Sequence, residues 1–157
     1  MPQSDDNPLI RDAVEEDIPA LATIFAADDK GGHGDTADPA FLPAYLDAFR
    51  RIGASPDNRL LVVEVDGAVV GTAQVTFITT LTGRGSTKMT IEAVQVREDM
   101  RGRRLGEALM RHCIELGRAR GVHLVDLMSN AVRTDAHRFY ERLGFTKSHA
   151  GFKLKLT

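Results

Sequence analysis

Cysteine is almost missing from this chain of 157 residues, and its one thiol, Cys113, has no partner for an intramolecular disulfide. The five histidines do not fall into zinc-ligand spacing with it, so neither a disulfide framework nor a metal site is expected. An excess of one charge is lacking too, and a formal net charge of −2 does not fit a general nucleic-acid binder. No apolar run approaches a membrane span, and the opening MPQSDDNP is acidic and polar where a secretory signal would be basic and then apolar. Cytoplasmic residence is therefore the expectation, with neither nucleic acid nor membrane as partner. Internal repeats, low-complexity segments and domain boundaries are absent as well. Residues 1–7 read as a flexible lead and 8–157 as one domain, long enough to bury about two-thirds of its unfolded surface.

What is there is an ordinary globular composition, 43% hydrophobic and 27% charged, with a legible order of elements. Leu9 to Ala13 suits a strand, and Glu15, Glu16 and Asp17 place negative charge at the start of a helix carrying Ile18, Leu21, Ile24 and Phe25. Asp28 to Pro39 is rich in Gly and Asp and reads as a loop, followed by a helix to about Gly53 on the spacing of Phe41, Leu42, Tyr45, Phe49 and Ile52. Leu60 to Val65 and Ala68 to Thr79 are β-rich and joined by Asp66-Gly67, a hairpin signal. A second reversal over Thr80 to Thr87 leads into a strand ending at Val96. Leu105, Leu109, His112 and Leu116, flanked by Ala108 and Cys113, form the apolar stripe of a further helix, whose other face is Glu107, Arg111, Glu115 and Arg118. Val122 to Met128 gives a strand parallel to the one before that helix, Ala136 to Leu143 a short helix capped at Gly144, and His149 to Leu156 alternates as a final strand.

The chemistry centres on IEAVQVREDMRGRRLGEAL, residues 91–109, where a strand hands over to a helix through Arg101-Gly102-Arg103-Arg104-Leu105-Gly106. The first turn of a helix has backbone N–H groups without intrahelical partners and about half a positive charge from the aligned peptide dipoles, so a phosphate fits there. The glycines permit close approach and unusual dihedrals, and the arginines add mobile positive charge. The Gly-Lys-Ser/Thr ending of a nucleotide P-loop is missing, and so is the G-x-G-x-x-G of a dinucleotide fold.

The junction resembles the coenzyme A loop of the GNAT superfamily of N-acetyltransferases, written Q/R-x-x-G-x-G/A after a strand ending V-x-V. Val94-Gln95-Val96 supplies the strand end, Arg101 the first loop position and Gly106 the last, while Arg104 stands where glycine is most common. Ala136-His137-Arg138-Phe139-Tyr140-Glu141-Arg142-Leu143-Gly144-Phe145 is similar to the A-x-x-F-Y-x-x-x-G-F signature of the same superfamily. The resemblance covers nearly the whole chain. It implies an α/β acyl-CoA N-acyltransferase fold, a twisted mixed sheet of about six or seven strands flanked by about four helices. It also implies acetyl-CoA as co-substrate, with the diphosphate held by Arg101, Gly102, Arg103, Arg104, Leu105, Gly106 and Glu107. The pantetheine arm is then expected in a wedge between two splayed strands, against Val94, Gln95 and Val96 on one side and Asn130 on the other.

Transfer to an amine needs a base, because an alkylammonium with a pKa of about 10.4 is mostly charged near neutrality. Glu92, on the strand beside the wedge, is the candidate base. Tyrosine, with a pKa of about 10, keeps its proton at neutral pH, and Tyr140 is the candidate acid for the departing thiolate. Cys113 is not needed, since direct transfer forms no covalent enzyme intermediate. The expected reaction moves an acetyl group to a primary amine of a small molecule or peptide. Asp28, Asp29, Asp35 and Asp38 favour a cationic acceptor. A binding-only acyl-CoA sensor of the same fold, a hydroxyl acceptor and another acyl donor remain alternatives, and a homodimer is an allowed assembly.

Overall fold

The computed structural model describes residues 7–28 and 33–157. The element order is β1 (Leu9–Asp12), α1 (Ile18–Ala26), α2 (Leu42–Ala54), β2 (Asn58–Val65), β3 (Ala68–Thr79), α3 (Thr82–Gly85), β4 (Thr87–Val96), α4 (Leu105–Ala119), β5 (Leu124–Leu127) and α5 (Thr134–Arg142). The strands lie side by side in sequence order, antiparallel from β1 to β4, with β5 parallel to β4. Asp66-Gly67 turns β2 into β3 with both residues at positive φ (51° and 79°), the twist a two-residue hairpin requires. The reversal before β4 is α3, a single distorted turn in which Gly83 and Arg84 leave the helical region.

Helices cover both faces of the sheet. On one face Leu61, Val63, Val75, Met89 and Ile91 meet Leu105, Leu109, Met110 and Cys113 of α4, with Phe139, Tyr140 and Leu143 of α5 packed at the edge. On the other, Ile18, Leu21 and Ile24 of α1 close on Val62, with Tyr45, Leu46 and Phe49 of α2 outside them. The buried stripe of α4 is thus centred on Leu109, Met110 and Cys113, while His112 is half-exposed. Gly117 has a packing role: a Cβ there would lie 3.0 Å from Val122 Cγ2 and 3.2 Å from Met89 Cε, so its absence lets α4 sit tightly on the sheet. At the entry to α1, Asp17 is buried and takes two bonds from the Arg11 guanidinium (2.7 and 3.0 Å) and one from the Val14 N–H (2.8 Å).

Two expectations need correction. The described residues form a sheet of five strands, fewer than the six or seven expected. The shortfall lies at the C-terminal end, where residues 146–157 are exposed and His149 to Leu156 pairs with no strand. Alternation makes a strand only where ladder hydrogen bonds form, and within this chain residues 149–156 make none with β5, although Gly151 lies against Met128 just past it.

Candidate active site

Strand β4 builds the site by keeping one edge paired and losing the other. Toward β3 it pairs from Thr87↔Thr79 to Val96↔Gly71, but Glu92 faces Gln74 and Gln95 faces Thr72, so Ala93 and Val94 share the single position of Ala73. This is a β-bulge, and Ala93 sits in the left-handed region at φ 54° to make it. Toward β5 the register ends at Ile91↔Leu127. Below that point Asp126 ties the two strands together, accepting from Lys88 Nζ (2.8 Å) and Thr90 Oγ1 (2.6 Å). Above it the pairing stops, so no described strand covers residues 92–96, including Val94, Gln95 and Val96, on that side, where the wedge is expected.

The wedge leads to the start of α4. The loop closes on itself through Met100 N–H to Arg97 O (2.9 Å) and Arg101 Nε to Val96 O (3.3 Å), while Gly102 takes φ 80°. Arg104, the residue before α4, is itself left-handed at φ 60°, ψ 22°, and offers no side-chain cap. The first intrahelical bond runs from Ala108 N–H to Arg104 O (3.1 Å), so Leu105, Gly106 and Glu107 open the helix with uncapped N–H groups. Gly102, Arg103 and Arg104 are exposed around them. Glu107 would oppose an anion, but Arg111 holds its carboxylate (2.9 Å). A Cβ on Gly106 would make ordinary contacts with Phe139 Cζ (3.6 Å) and Val96 Cγ2 (3.8 Å), so the site admits a methyl there and little more. The arrangement suits a diphosphate at the helix start with a linear chain running down the wedge.

Tyr140 lies on α5, packed against the core that β4 and α4 share. Its ring packs 5.3 Å from Phe139 and edge-on to Phe145 at 6.1 Å. Burial pushes its phenol pKa up, with the Arg133 charge working the other way, so the hydroxyl keeps its proton at neutral pH. Glu92 is exposed immediately past the last β4–β5 pair, and its carboxylate makes no hydrogen bond or ion pair with the described residues. Asn130 follows β5; its Oδ1 accepts from Val132 N–H (3.1 Å) and its carbonyl from His137 Nε2 (2.9 Å), which leaves the side-chain amide donors for another acceptor. Cys113 is buried in the core, where desolvation pushes its thiol up to about 12, and it takes no part in the site.

Asp28 and Arg133 were not singled out as a pair by their spacing. Arg133 Nη2 bonds both oxygens of Asp28 (3.0 and 2.8 Å), and Gln95 Nε2 donates to the same carboxylate (2.7 Å). The end of α1, the bulged end of β4 and the start of α5 are joined by this half-buried network. A cavity of about 80 Å³ between Asp28, Val96 and Arg101 adjoins it. Asp28 is therefore neutralised, Asp35 accepts from the Tyr45 hydroxyl (2.8 Å) and Asp38 caps Ala40 N–H (3.0 Å). Asp29 lies outside the described residues. Among the others, the acidic loop is a set of tie points, and its pull on a cation is weaker than its composition suggests.

Over 62 residues the chain is 40% identical to an aminoalkylphosphonate N-acetyltransferase of Salmonella typhimurium, covering 40% of each protein. Over 94 residues it is 33% identical to a streptothricin acetyltransferase of Streptomyces lavendulae, covering 59% of this chain and 47% of that one. The matched stretch thus spans less than half the length of either curated relative. A solved structure described as a transcriptional regulator from Bacillus halodurans C-125 superposes with a TM-score of 0.92 at 36% identity, over 96% of this chain and 100% of that one. With a family model matched from residue 18 to residue 145, across the wedge, the helix start and the Tyr140 helix, the chain belongs to the acetyltransferase (GNAT) family.

Proposed function

We propose that the protein transfers an acetyl group from acetyl-CoA to a primary amine by direct attack within a ternary complex. The observation that carries the reading is the end of β4–β5 pairing at Ile91↔Leu127, which opens the bulged edge of β4 on a path to the uncapped start of α4. In this reading the first-turn N–H groups of Leu105, Gly106 and Glu107 hold the diphosphate, and Arg101, Gly102, Arg103 and Arg104 surround it. The edge of Val94, Gln95 and Val96 takes the amides of the pantetheine arm, with Asn130 on the facing side. Bound acetyl-CoA supplies the thioester carbonyl; the protein orients it and moves protons.

Glu92 takes a proton from the attacking amine, directly or through one water, as the new C–N bond forms. Tyr140 gives its proton to the sulfur as the C–S bond breaks, and its raised pKa keeps that proton available. The Salmonella typhimurium relative is by its name an N-acetyltransferase of an aminoalkylphosphonate, which supports an amine acceptor here. An amine panel incubated with acetyl-CoA, followed by release of free thiol, tests the reading. At least one amine should release thiol in step with an acetylated product. Coenzyme binding without thiol release from any amine would favour an acyl-CoA sensor, a reading to which the description of the Bacillus halodurans protein lends weight.

A further inference from the structure

We propose that Asp28 and Arg133 are a positioning pair for the transfer reaction: their ion pair clasps β4, beyond its last β5 partner, to the start of α5 and so sets where Tyr140 stands against the bound thioester, a role that rests on the acetyl-transfer reading above. Backbone pairing between β4 and β5 ends at Ile91↔Leu127. Past that point, among the described residues, no backbone hydrogen bond joins residues 92–96 to residues 128–133, and side chains alone tie the two together. From β4, Gln95 Nε2 donates to Asp28 Oδ2 (2.7 Å). From the residue that precedes α5, Arg133 Nη2 donates to both Asp28 oxygens (3.0 and 2.8 Å). Asp28 itself stands just past the end of α1. One carboxylate thus holds three chain segments where the sheet no longer does. The Asp28 and Arg133 side chains are 12% and 26% exposed, so solvent and salt screen this pair far less than an open surface pair.

Arg133 is fixed through its backbone as well. Its N–H donates to Asn130 O (3.0 Å) and its carbonyl accepts the His137 N–H (3.1 Å), so it belongs both to the turn after Asn130 and to the first turn of α5. Tyr140 comes seven positions later, two helical turns along the same side of α5. The Arg133 charge reaches the phenol, where it opposes the upward push of burial. Displacing Arg133 therefore shifts the helix that carries Tyr140 and changes the field at its hydroxyl. A reacting group misplaced by about 1 Å can cost about 10²-fold in rate, whereas the diphosphate site at the start of α4 includes neither member of the pair. Loss of the clasp should thus act on turnover and spare coenzyme affinity.

Steady-state kinetics, acetyl-CoA calorimetry and tyrosine NMR on Arg133→Met, Asp28→Asn and the double variant test this. Arg133→Met keeps the stem and removes the donors; Asp28→Asn is isosteric and removes only the charge, so its fold is preserved. With an amine that the parent acetylates, each single variant should lower kcat about 10- to 100-fold and leave the acetyl-CoA Kd within about threefold. The double variant should lose no more than the worse single one, because the two side chains act as a unit. The chain has two tyrosines, Tyr45 and Tyr140, so ring-labelled tyrosine gives two signals, which Tyr140→Phe assigns. Acetyl-CoA should shift the Tyr140 signal in the parent and leave it nearly unmoved in the variants. That signal needs no acceptor: if the parent acetylates no amine, the transfer reading falls, while loss of the Tyr140 shift in the variants still upholds the clasp. Variants that keep the Tyr140 shift and full turnover overturn the proposal, as does a parent whose Tyr140 signal ignores bound acetyl-CoA. Single losses that multiply in the double variant, a change confined to coenzyme affinity, or a loss of turnover that tracks a fall in Tm overturn it as well.

Discussion

Replacing Arg104 with glycine should stabilise the protein, although the residue sits at the centre of the proposed anion site. Arg104 is left-handed at φ 60°, ψ 22°, and its side chain makes no hydrogen bond or ion pair with the described residues. A non-glycine residue in that region is disfavoured by about 1–2 kcal/mol. Glycine gains more freedom in the unfolded chain, which offsets about 0.4–1 kcal/mol of that relief. The net expectation is about 0.5–1 kcal/mol of added stability, or a Tm rise of roughly 1–4 °C for a domain of this size. Gly102, at φ 80° with open space around its Cα, provides the opposite case. Gly102→Ala should lose about 1 kcal/mol. Thermal unfolding of both variants reads the signs directly. Because the backbone N–H groups are unchanged, coenzyme affinity in Arg104→Gly should fall by no more than the loss of one exposed charge, roughly tenfold or less. A lower Tm for Arg104→Gly, or a higher one for Gly102→Ala, would refute the assigned loop geometry.

Further expectations follow from other contacts. Arg11 holds the Asp17 carboxyl below the usual carboxylate range, so its contribution is fully present above the unfolded pKa of about 3.9 and lost as pH falls through the folded value. Asp17→Asn should cost about 1.5–3 kcal/mol at neutral pH and flatten the acid side of the stability curve, measured by urea titration across pH. Gly117→Val places side-chain atoms where a Cβ already meets Val122 at 3.0 Å, and should cost about 1–3 kcal/mol by thermal melting. Glu92→Gln should lower turnover most at low pH, where the amine is most protonated, and leave coenzyme binding nearly intact; a pH–rate profile that overlays the parent removes Glu92 as the base. Tyr140→Phe keeps the packing on Phe139 and Phe145 but should slow turnover by about 10²- to 10⁴-fold with little change in Tm. A loss of stability in step with activity would make Tyr140 a core residue only.

Local patterns carried most of this architecture. The Asp66-Gly67 hairpin, the negative charge ahead of α1, the amphipathic α4 and the strand-to-helix junction at Arg101–Gly106 are each written within a few neighbouring residues, and each occurs at its expected place. What could not be read locally depends on partners far apart in sequence. Arg133 and Asp28 are separated by 105 positions, and nothing adjacent to either points to the other. The bulge at Ala93–Val94 depends on register with β3, and alanine carries no mark of a left-handed conformation. At His149–Leu156 the alternation is real, but the segment pairs with no strand of its own chain. The same distinction holds for the site: the resemblance implied a wedge beside Val94 to Val96, whereas the position at which β4–β5 pairing ends, Ile91↔Leu127, depends on register and could not be read from it.

The central claim is that the uncapped start of α4 holds the diphosphate of acetyl-CoA, and calorimetric titration of acetyl-CoA into the parent, Gly106→Ala and Gly106→Asp tests it most directly. A methyl fits at Gly106, with its Cβ 3.6 Å from Phe139 Cζ, so Gly106→Ala should bind nearly as the parent does. Gly106→Asp sets a carboxylate against the diphosphate and should weaken binding by about 30-fold or more, about 2 kcal/mol. A folded Gly106→Asp variant that binds acetyl-CoA as tightly as the parent would contradict the account.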